Sequence, residues 1–230
     1  MLRQVTDEHE GALLRRLKSA GQSGRMARIG FATGDADARR RALVIVARIT
    51  QRPDLADGLR ALVEVGAEAV EIVPRTGGGS VADIVNGAGV PCGLVLAADS
   101  ETGGAELADT AGLDWIHLIS SAPAQYLTHT QVNRLVDVVP DMQPGRLSGL
   151  GGLKIDAVVI SGSGDQAIFT VDTLTAVTAV QTATKGPVLL GQGLGLLPRD
   201  AGVLVQHGIE GIIVDGVDTV RAWAREIDRL

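Results

Sequence analysis

Apolar runs rich in β-branched residues recur along the chain, each bounded by Gly, Pro or Asp. Runs of this kind predict strands that are buried on both faces of a sheet. Eight of them can be marked, at residues 42–49, 69–74, 91–97, 114–119, 134–140, 156–161, 187–193 and 211–216. Their starts are separated by roughly 20 to 30 residues, which is the length that a strand, a helix and two loops need.

Amphipathic segments lie between the predicted strands. Apolar residues three and four positions apart predict helices at 55–67, 106–113, 172–185 and 199–208. The segment after the fifth strand is rich in Gly and Pro and is expected to be mostly loop. Before the first strand, residues 8–21 predict a helix that caps the bottom of the fold or contacts another subunit. Residues 27–34 predict an accessory strand or an extended lead-in.

Eight strands in alternation with helices favour a closed (β/α)8 barrel, the TIM-barrel fold of the α/β class, with an N-terminal helical extension. A doubly wound open parallel sheet is the alternative. We expect residues 1–40 to form the extension and residues 41–230 to form one barrel domain. A chain of 230 residues, 45% of them hydrophobic, is long enough to bury one full core.

One short phrase repeats where a predicted helix leads into a strand. VGAEAVEIV, AGLDWIHLI and HGIEGIIVD each contain a glycine, an apolar residue, an acid and then the strand. The glycine suits the left-handed position that ends a helix, and the acid is placed at the rim of the sheet. The phrase therefore marks repeated βα units and not a ligand-binding motif.

Composition and net charge limit the kinds of partner that the protein is expected to bind. The formal net charge of −6 provides no basic face for nucleic acid, and no apolar run approaches the length of a membrane span. Cys92 is the single cysteine, which excludes an intrachain disulfide. These features predict a cytoplasmic protein with a small-molecule ligand, and they leave open whether it forms a homo-oligomer.

The segment 186–195, GPVLLGQGLG, contains three glycines in quick succession and is followed by the predicted eighth strand. With that strand it resembles the last two units of the phosphate-binding β/α barrels, a group that includes enzymes of tryptophan and histidine biosynthesis and flavin-binding relatives. The resemblance implies that Gly191, Gly193 and Gly195 line one side of a phosphate and that Gly216 and Val217 line the other. The chain departs from the pattern at Asp215, where a small residue is usual, and at Gln192 and Leu194, which interrupt the glycines.

Catalytic groups of a barrel lie at the C-terminal ends of its strands, and this rule selects the candidate site residues. His117 and the carboxylates of Asp141 and Asp165 are the candidate acid–base groups, although the sequence does not show whether His117 faces the barrel or the helices. Asp137 also lies at a strand end. The candidates for substrate binding are Arg48, Glu71, Arg75, Ser161, Ser163, Gln192, Gly191, Gly193, Gly195, Asp215 and Gly216. Arg48 and Arg75 suit an anion, and Glu71 on the neighbouring strand is a candidate ion-pair partner of Arg48.

The same rule bears on cofactors and mechanism. Lys18, Lys154 and Lys185 all lie away from the predicted strand ends, so Schiff-base chemistry is not expected. Carboxylates at the strand ends could hold Mg²⁺ or Mn²⁺, but their spacing is not diagnostic: Glu71, Asp99, Asp141, Asp165 and Asp215. FMN is a further candidate through its phosphate.

These observations favour an enzyme, a lyase or isomerase, that acts on a small anionic and phosphorylated metabolite at the C-terminal face. Two alternatives stand beside it. The first is a non-catalytic barrel that serves as a binding or assembly protein, and the second is an FMN-dependent oxidoreductase.

Overall fold

Eight parallel strands close into a barrel in which each strand pairs with its sequence neighbours and the last pairs with the first. The computed structural model describes residues 10–29, 41–75, 85, 87–97, 112–128, 131–162, 164, 168–184 and 186–230. The strands are β1 Val44–Thr50, β2 Ala69–Val73, β3 Cys92–Leu96, β4 Trp115–Leu118, β5 Asn133–Val138, β6 Ala157–Ile160, β7 Val188–Leu190 and β8 Gly211–Asp215. The closed barrel confirms the (β/α)8 prediction over the open sheet.

Helices alternate with the strands along the described ranges. They are α1 Ala12–Ile29, α2 Leu55–Glu64, α3 Pro144–Leu150, α4 Val171–Ala183, α5 Ala201–Gln206 and α6 Val217–Ile227, with 3₁₀ turns at Ala124–Thr128 and Pro198–Asp200. None of these helices has the combined length and apolar character that a membrane crossing requires.

The predictions of local structure outside the strands have different outcomes, and some fall on residues outside the described ranges. The accessory strand predicted at 27–34 is wrong for its first three residues, because α1 continues to Ile29, and 30–34 lie outside the described residues. The segment between β5 and β6 is mostly loop, as expected, and its one short helix among the described residues is α3, seven residues long. Pro144 can begin this helix because the first turn needs no proline N–H. Residues 106–111 of the predicted helix 106–113 also lie outside the described residues.

Side chains alternate between the two faces of the barrel wall. One buried cluster contains every second residue of the strands, among them Val46, Ala69, Trp115, Leu135 and Ile213, and fills the barrel interior. The intervening residues, such as Ile45 and Val70, belong to a second cluster that packs against the helices. This period of two decides which polar residues at the strand ends point into the barrel.

Helix α1 closes the bottom of the barrel, where the strands begin. Its residues Leu13 and Leu17 are fully buried in the interior cluster. The carboxylate of Asp114, just before β4, accepts hydrogen bonds from the backbone N–H groups of Ala12 and Leu13, both at 2.7 Å. Because these N–H groups have no partner within the helix, Asp114 takes the part of an N-cap supplied from a distant residue.

The repeated junction phrase has a structural explanation in the described units. Gly66, Gly112 and Gly208 all have positive φ angles, as the left-handed end of a helix requires. The acid that follows accepts a backbone N–H at the barrel bottom: Glu210 from Val188 at 2.8 Å, and Glu68 from Ile45 at 3.3 Å. In these two units the acid holds the junction to the preceding strand, whereas Asp114, the acid of the third, holds α1.

Removing the acceptor at Asp114 tests this arrangement. We expect Asp114→Ala to lower the free energy of unfolding by about 0.5–2 kcal/mol, the usual cost of a lost N-cap. Asp114→Asn keeps an acceptor oxygen and is expected to lose less. Urea denaturation of the three proteins measures the difference, and equal losses in both variants would show that Asp114 contributes charge rather than capping.

Candidate active site

The upper layer of the barrel interior is polar. Arg48, Glu71, His117, Asp137 and Asp215 each lie two positions after an interior-facing apolar residue, so they point into the barrel above it. The register of the strands places Arg48 beside Glu71 on β2 and beside Asp215 on β8. Side chains from five strands thereby meet at the C-terminal end, which is where barrels place their active sites.

Glu71 forms the centre of this layer. Its side chain is fully buried, and its two oxygens bind different partners: Oε1 lies 2.5 Å from Arg48 Nε and Oε2 lies 3.0 Å from His117 Nδ1. Burial by itself would raise the pKa of Glu71, but His117 and Arg48 stabilise the carboxylate more strongly, and the pKa is lowered. Glu71 is therefore an ionised acceptor that orients both neighbours.

His117 faces the barrel interior and is fully buried. Because Glu71 is a carboxylate and can only accept, the hydrogen bond between them requires a proton on Nδ1. The other ring nitrogen, Nε2, lies 3.9 Å from Asp137 Oδ1, and among the described residues it has no hydrogen-bond partner. The ring thus has one nitrogen fixed by Glu71 and one nitrogen available toward Asp137.

Asp137 lies between His117 and the opening. Ser161 Oγ donates a hydrogen bond of 2.6 Å to its Oδ1, and 19% of the Asp137 side chain is exposed. Burial raises the pKa of Asp137, against the opposing effects of the Ser161 hydrogen bond and of the charges on His117 and Arg48. Partial burial of its carboxyl likewise raises the pKa of Asp215, although the residue as a whole is exposed, while Arg48 lowers this pKa. Both carboxyls therefore gain a proton more readily than a fully solvated aspartate does.

A cavity of about 440 Å³ opens above this layer. Its described wall includes Arg48, His117, Asp137 and Ser161 from the strands, with Gln192 and Gly193 from the loop after β7. Trp115 lies one layer below His117 and occupies the space left by Gly93, where an added Cβ would lie 2.0 Å from the indole Cε2. Val73, Val95 and Ile119 also line the cavity, which therefore has a mixed polar and apolar wall above a packed apolar floor.

The glycines after β7 are required by packing between loops. Gly193 and Gly195 have positive φ angles of 74° and 68°. A Cβ on Gly193 would lie 2.6 Å from the carbonyl oxygen of Gly162, and one on Gly195 would lie 2.5 Å from the Ile168 backbone. These contacts account for the glycines without a ligand. Among the described residues of this loop, Gln192 and Gly193 also line the cavity.

On the other side of the opening, Gly216 precedes α6 with a φ of 79°, and no side chain caps this helix. The N–H groups of its first turn point away from the helix body, which is the arrangement that suits an anion. Asp215, the residue before Gly216, is exposed. Gly191, which follows β7, is buried against Ser161.

The predicted site residues fall into three groups. The structure brings together Arg48, Glu71, His117, Ser161, Gln192 and Gly193, with Asp215 beside Arg48 in the register. Arg75 and Asp141 are exposed and do not line the described cavity wall. Ser163, Asp165 and Asp99 lie outside the described residues, as does Lys185. Within the described ranges, no group of three or more His, Cys, Asp or Glu side chains is arranged to hold a metal ion.

Asp137 is the site residue that sequence reasoning undervalues. The sequence places it at a strand end, but the acid–base group predicted for that strand is Asp141. The alternation is available in the sequence, since Asp137 is two positions after Leu135 and shares its face, whereas Asp141 lies beyond the end of β5. Gly93 and Trp115, which form the floor, have no comparable signal because their contact depends on the pairing of β3 with β4.

The fold and the site together define a (β/α)8 barrel with ionisable groups clustered at its C-terminal face. No family model matches the chain, and no curated protein matches it. Solved structures of tryptophan synthase from Mycobacterium tuberculosis share the fold. One has a TM-score of 0.67 at 18% identity and covers 93% of this chain and 97% of its own. A ligand-free form that carries a mutation in TrpA has a TM-score of 0.64 at 19% identity and covers 92% and 97%.

A structure at lower sequence identity also shares the fold. A mutant tryptophan synthase alpha-subunit from the hyperthermophile Pyrococcus furiosus has a TM-score of 0.63 at 13% identity and covers 80% of this chain and 96% of its own. At these identities the likeness establishes the fold, and the chemistry has to be argued from the site.

Proposed function

We propose that this chain is an enzyme, a lyase or isomerase, that acts on a small anionic and phosphorylated metabolite at the C-terminal face of the barrel. The observation that carries the proposal is the cluster of ionisable side chains at the cavity, in which Glu71 and His117 are fully buried. A fully buried carboxylate such as Glu71 costs free energy, and proteins place such groups where chemistry needs a perturbed pKa. The use of the same fold by tryptophan synthase supports the proposal by analogy only.

Proton transfer is the chemistry that these residues support best. The His117 ring and the Asp137 carboxyl line the cavity, and because Nε2 and Oδ1 are 3.9 Å apart they are not hydrogen-bonded to each other. Lyases and isomerases that act on carbon–hydrogen bonds need such a group to remove or return a proton. The described residues contain no lysine at this face, since Lys18 pairs with Glu10 at the bottom and Lys154 precedes β6.

An anionic group on the substrate would be held by two kinds of donor. Arg48 lines the cavity and retains N–H groups beyond the Nε that binds Glu71. The first turn of α6 and the backbone near Gly193 would supply N–H groups for a phosphate. The charge of Arg48 is already balanced by Glu71, so the raised pKa values of Asp137 and Asp215 matter: their protonation reduces the negative charge that opposes an anion.

Thermal unfolding with added ligands tests the proposal. The ligands are inorganic phosphate, phosphorylated metabolites of three to six carbons, FMN, and Mg²⁺ or Mn²⁺. A ligand present at 100 times its Kd stabilises the native state by about 2.7 kcal/mol, which raises the Tm by several degrees for a chain of this size. We expect the phosphorylated metabolites to give this increase.

A charge at the start of α6 provides the matched control. Thr219 is exposed on the first turn, where a helix tolerates a carboxylate, so Thr219→Asp should fold normally but repel a phosphate. Thr219→Asn has nearly the same shape without the charge. We expect the ligand-induced increase in Tm to disappear in Thr219→Asp and to persist in Thr219→Asn.

Other outcomes would point to the alternatives. An increase with FMN and a yellow purified protein would favour the oxidoreductase. No increase with any ligand, in a protein that unfolds cooperatively, would contradict the proposed enzyme and favour a binding or assembly role. A cytoplasmic location and self-association into a homo-oligomer remain parts of the proposal.

A further inference from the structure

The environment of His117 Nε2 poses a problem of proton placement. Glu71 requires the proton of the neutral ring to be on Nδ1, which leaves a lone pair on Nε2. Asp137 Oδ1 lies 3.9 Å from this nitrogen, which has no hydrogen-bond partner among the described residues. If Asp137 were ionised at the same time, two unprotonated acceptors would face each other in a buried site, which is unfavourable.

One additional proton resolves the conflict. It can lie on Nε2, giving an imidazolium between two carboxylates, or on Asp137, giving a carboxylic acid that faces a neutral ring. We propose that His117 and Asp137 hold this single proton between them and that Asp137 is the acid–base group that faces the cavity. This inference deepens the proposed function and rests on it for the molecule that exchanges the proton.

The geometry assigns the roles of the members. Asp137 has 19% of its side chain exposed at the cavity, whereas His117 and Glu71 are fully buried. Ser161 fixes the Asp137 carboxyl through the 2.6 Å hydrogen bond to Oδ1. Asp137 is therefore the catalytic residue, and His117, Glu71 and Ser161 are positioning residues that act through it.

The proton balance of one transfer is simple. The O–H bond of protonated Asp137 breaks as a bond from that hydrogen to a substrate atom forms, which leaves a carboxylate. Removal of a proton from the substrate restores the acid. When the proton is on His117 instead, the two groups must first close their 3.9 Å separation. The Nε2–H bond then breaks as the O–H bond of Asp137 forms, and the ring returns to the Nδ1–H form that Glu71 stabilises.

The charged groups around the pair favour this shared state. Arg48 on β1 lowers the pKa of Asp137, and Glu71 on β2 raises it. Asp215 on β8 is paired in register with Arg48. Burial disfavours a second negative charge next to Glu71, and the pKa of Asp137 is raised accordingly. Val95, the interior residue of β3 paired with His117, contributes no charge.

Nuclear magnetic resonance of the full chain tests the shared proton without a substrate. Histidine ring nitrogens and aspartate carboxyl carbons are labelled, and His117→Gln and Asp137→Asn assign the signals. We expect Nδ1 of His117 to remain protonated throughout, and Nε2 and the Asp137 carboxyl to change over the same range of pH, as a coupled pair does. In Ser161→Ala, which removes the hydrogen bond that lowers the pKa of Asp137, the two signals should still change together but at a higher pH than in the wild type.

The opposite pattern would overturn the inference. A bare Nδ1, or an Asp137 carboxyl that titrates while Nε2 does not change, would show that the two residues do not share a proton. Because no ligand is used, this failure is distinct from a failure of the ligand-binding experiment.

Chemical labelling tests which member faces the cavity. A water-soluble carbodiimide with a small amine modifies accessible carboxyl groups, and peptide mass spectrometry locates the product. We expect Asp137 to be modified and Glu71 to remain unmodified, with Asp218, whose side chain is 95% exposed, as the positive control. Modification of Asp218 without Asp137 would overturn the assignment of Asp137 as the residue that meets a substrate.

Discussion

Replacing Glu71 with leucine is expected to lower the free energy of unfolding by about 3–5 kcal/mol, the usual cost of removing one partner from a buried ion pair. The reason is the pair of contacts that Glu71 makes, to Arg48 Nε at 2.5 Å and to His117 Nδ1 at 3.0 Å. Both donors would be left in the barrel interior without an acceptor. Urea denaturation followed by circular dichroism measures the loss.

The pH dependence of the stability difference provides a second test of this prediction. The pKa of Glu71 is lowered in the folded state, so its stabilisation is present above the ordinary carboxyl range and is lost as the pH falls through the folded-state pKa. The difference between wild type and Glu71→Leu should therefore narrow in acid. A loss below about 1 kcal/mol at neutral pH would contradict the prediction and show that Arg48 and His117 find other partners.

Glu68 provides a matched control at the opposite end of the same strand. It accepts the Ile45 N–H at 3.3 Å, and burial raises its pKa, against the lowering effects of this hydrogen bond and the nearby arginines. Removal of its charge relieves an unfavourable burial, and glutamine keeps the acceptor. We expect Glu68→Gln to change the free energy of unfolding by no more than about 1 kcal/mol.

Gly195→Ala is expected to lower the free energy of unfolding by about 2–6 kcal/mol, because a strained backbone and an overpacked contact each cost roughly 1–3 kcal/mol. Gly195 has a φ of 68°, and its new Cβ would lie 2.5 Å from the Ile168 backbone. Gly164→Ala is the control, since its Cβ would enter open space. Denaturation curves that shift equally in both variants would show that the loops after β6 and β7 do not pack as described.

The strands could be predicted from the sequence because a wall buried on both faces requires continuous apolar runs, and each of the eight runs is a strand. The pairing of Arg48 with Glu71 was also predictable, since it needs only two adjacent parallel strands. The inward orientation of His117 was not predictable, because WIHL is apolar on both sides and gives no period of two.

The glycine-rich loop after β7 shows a different limit of prediction from sequence. Gly193 and Gly195 are needed both where a backbone approaches a phosphate and where it approaches another loop, so the residue type alone cannot distinguish the two. The structure supplies the second reason directly through Gly162 and Ile168. The ligand experiments with Thr219→Asp and Thr219→Asn test for the first reason.

The capping of α1 has a consequence for the order of folding. Leu13 donates its backbone N–H to Asp114, which is 101 positions later in the chain, and α1 also contacts α5, which follows β7. During synthesis the helix therefore leaves the ribosome long before the surface that it covers exists. Contacts of such long range are slow to form, because the intervening chain must first lose its freedom. Docking of α1 is thus a late event, and until it occurs the nascent chain has an apolar helix face that chaperones can recognise.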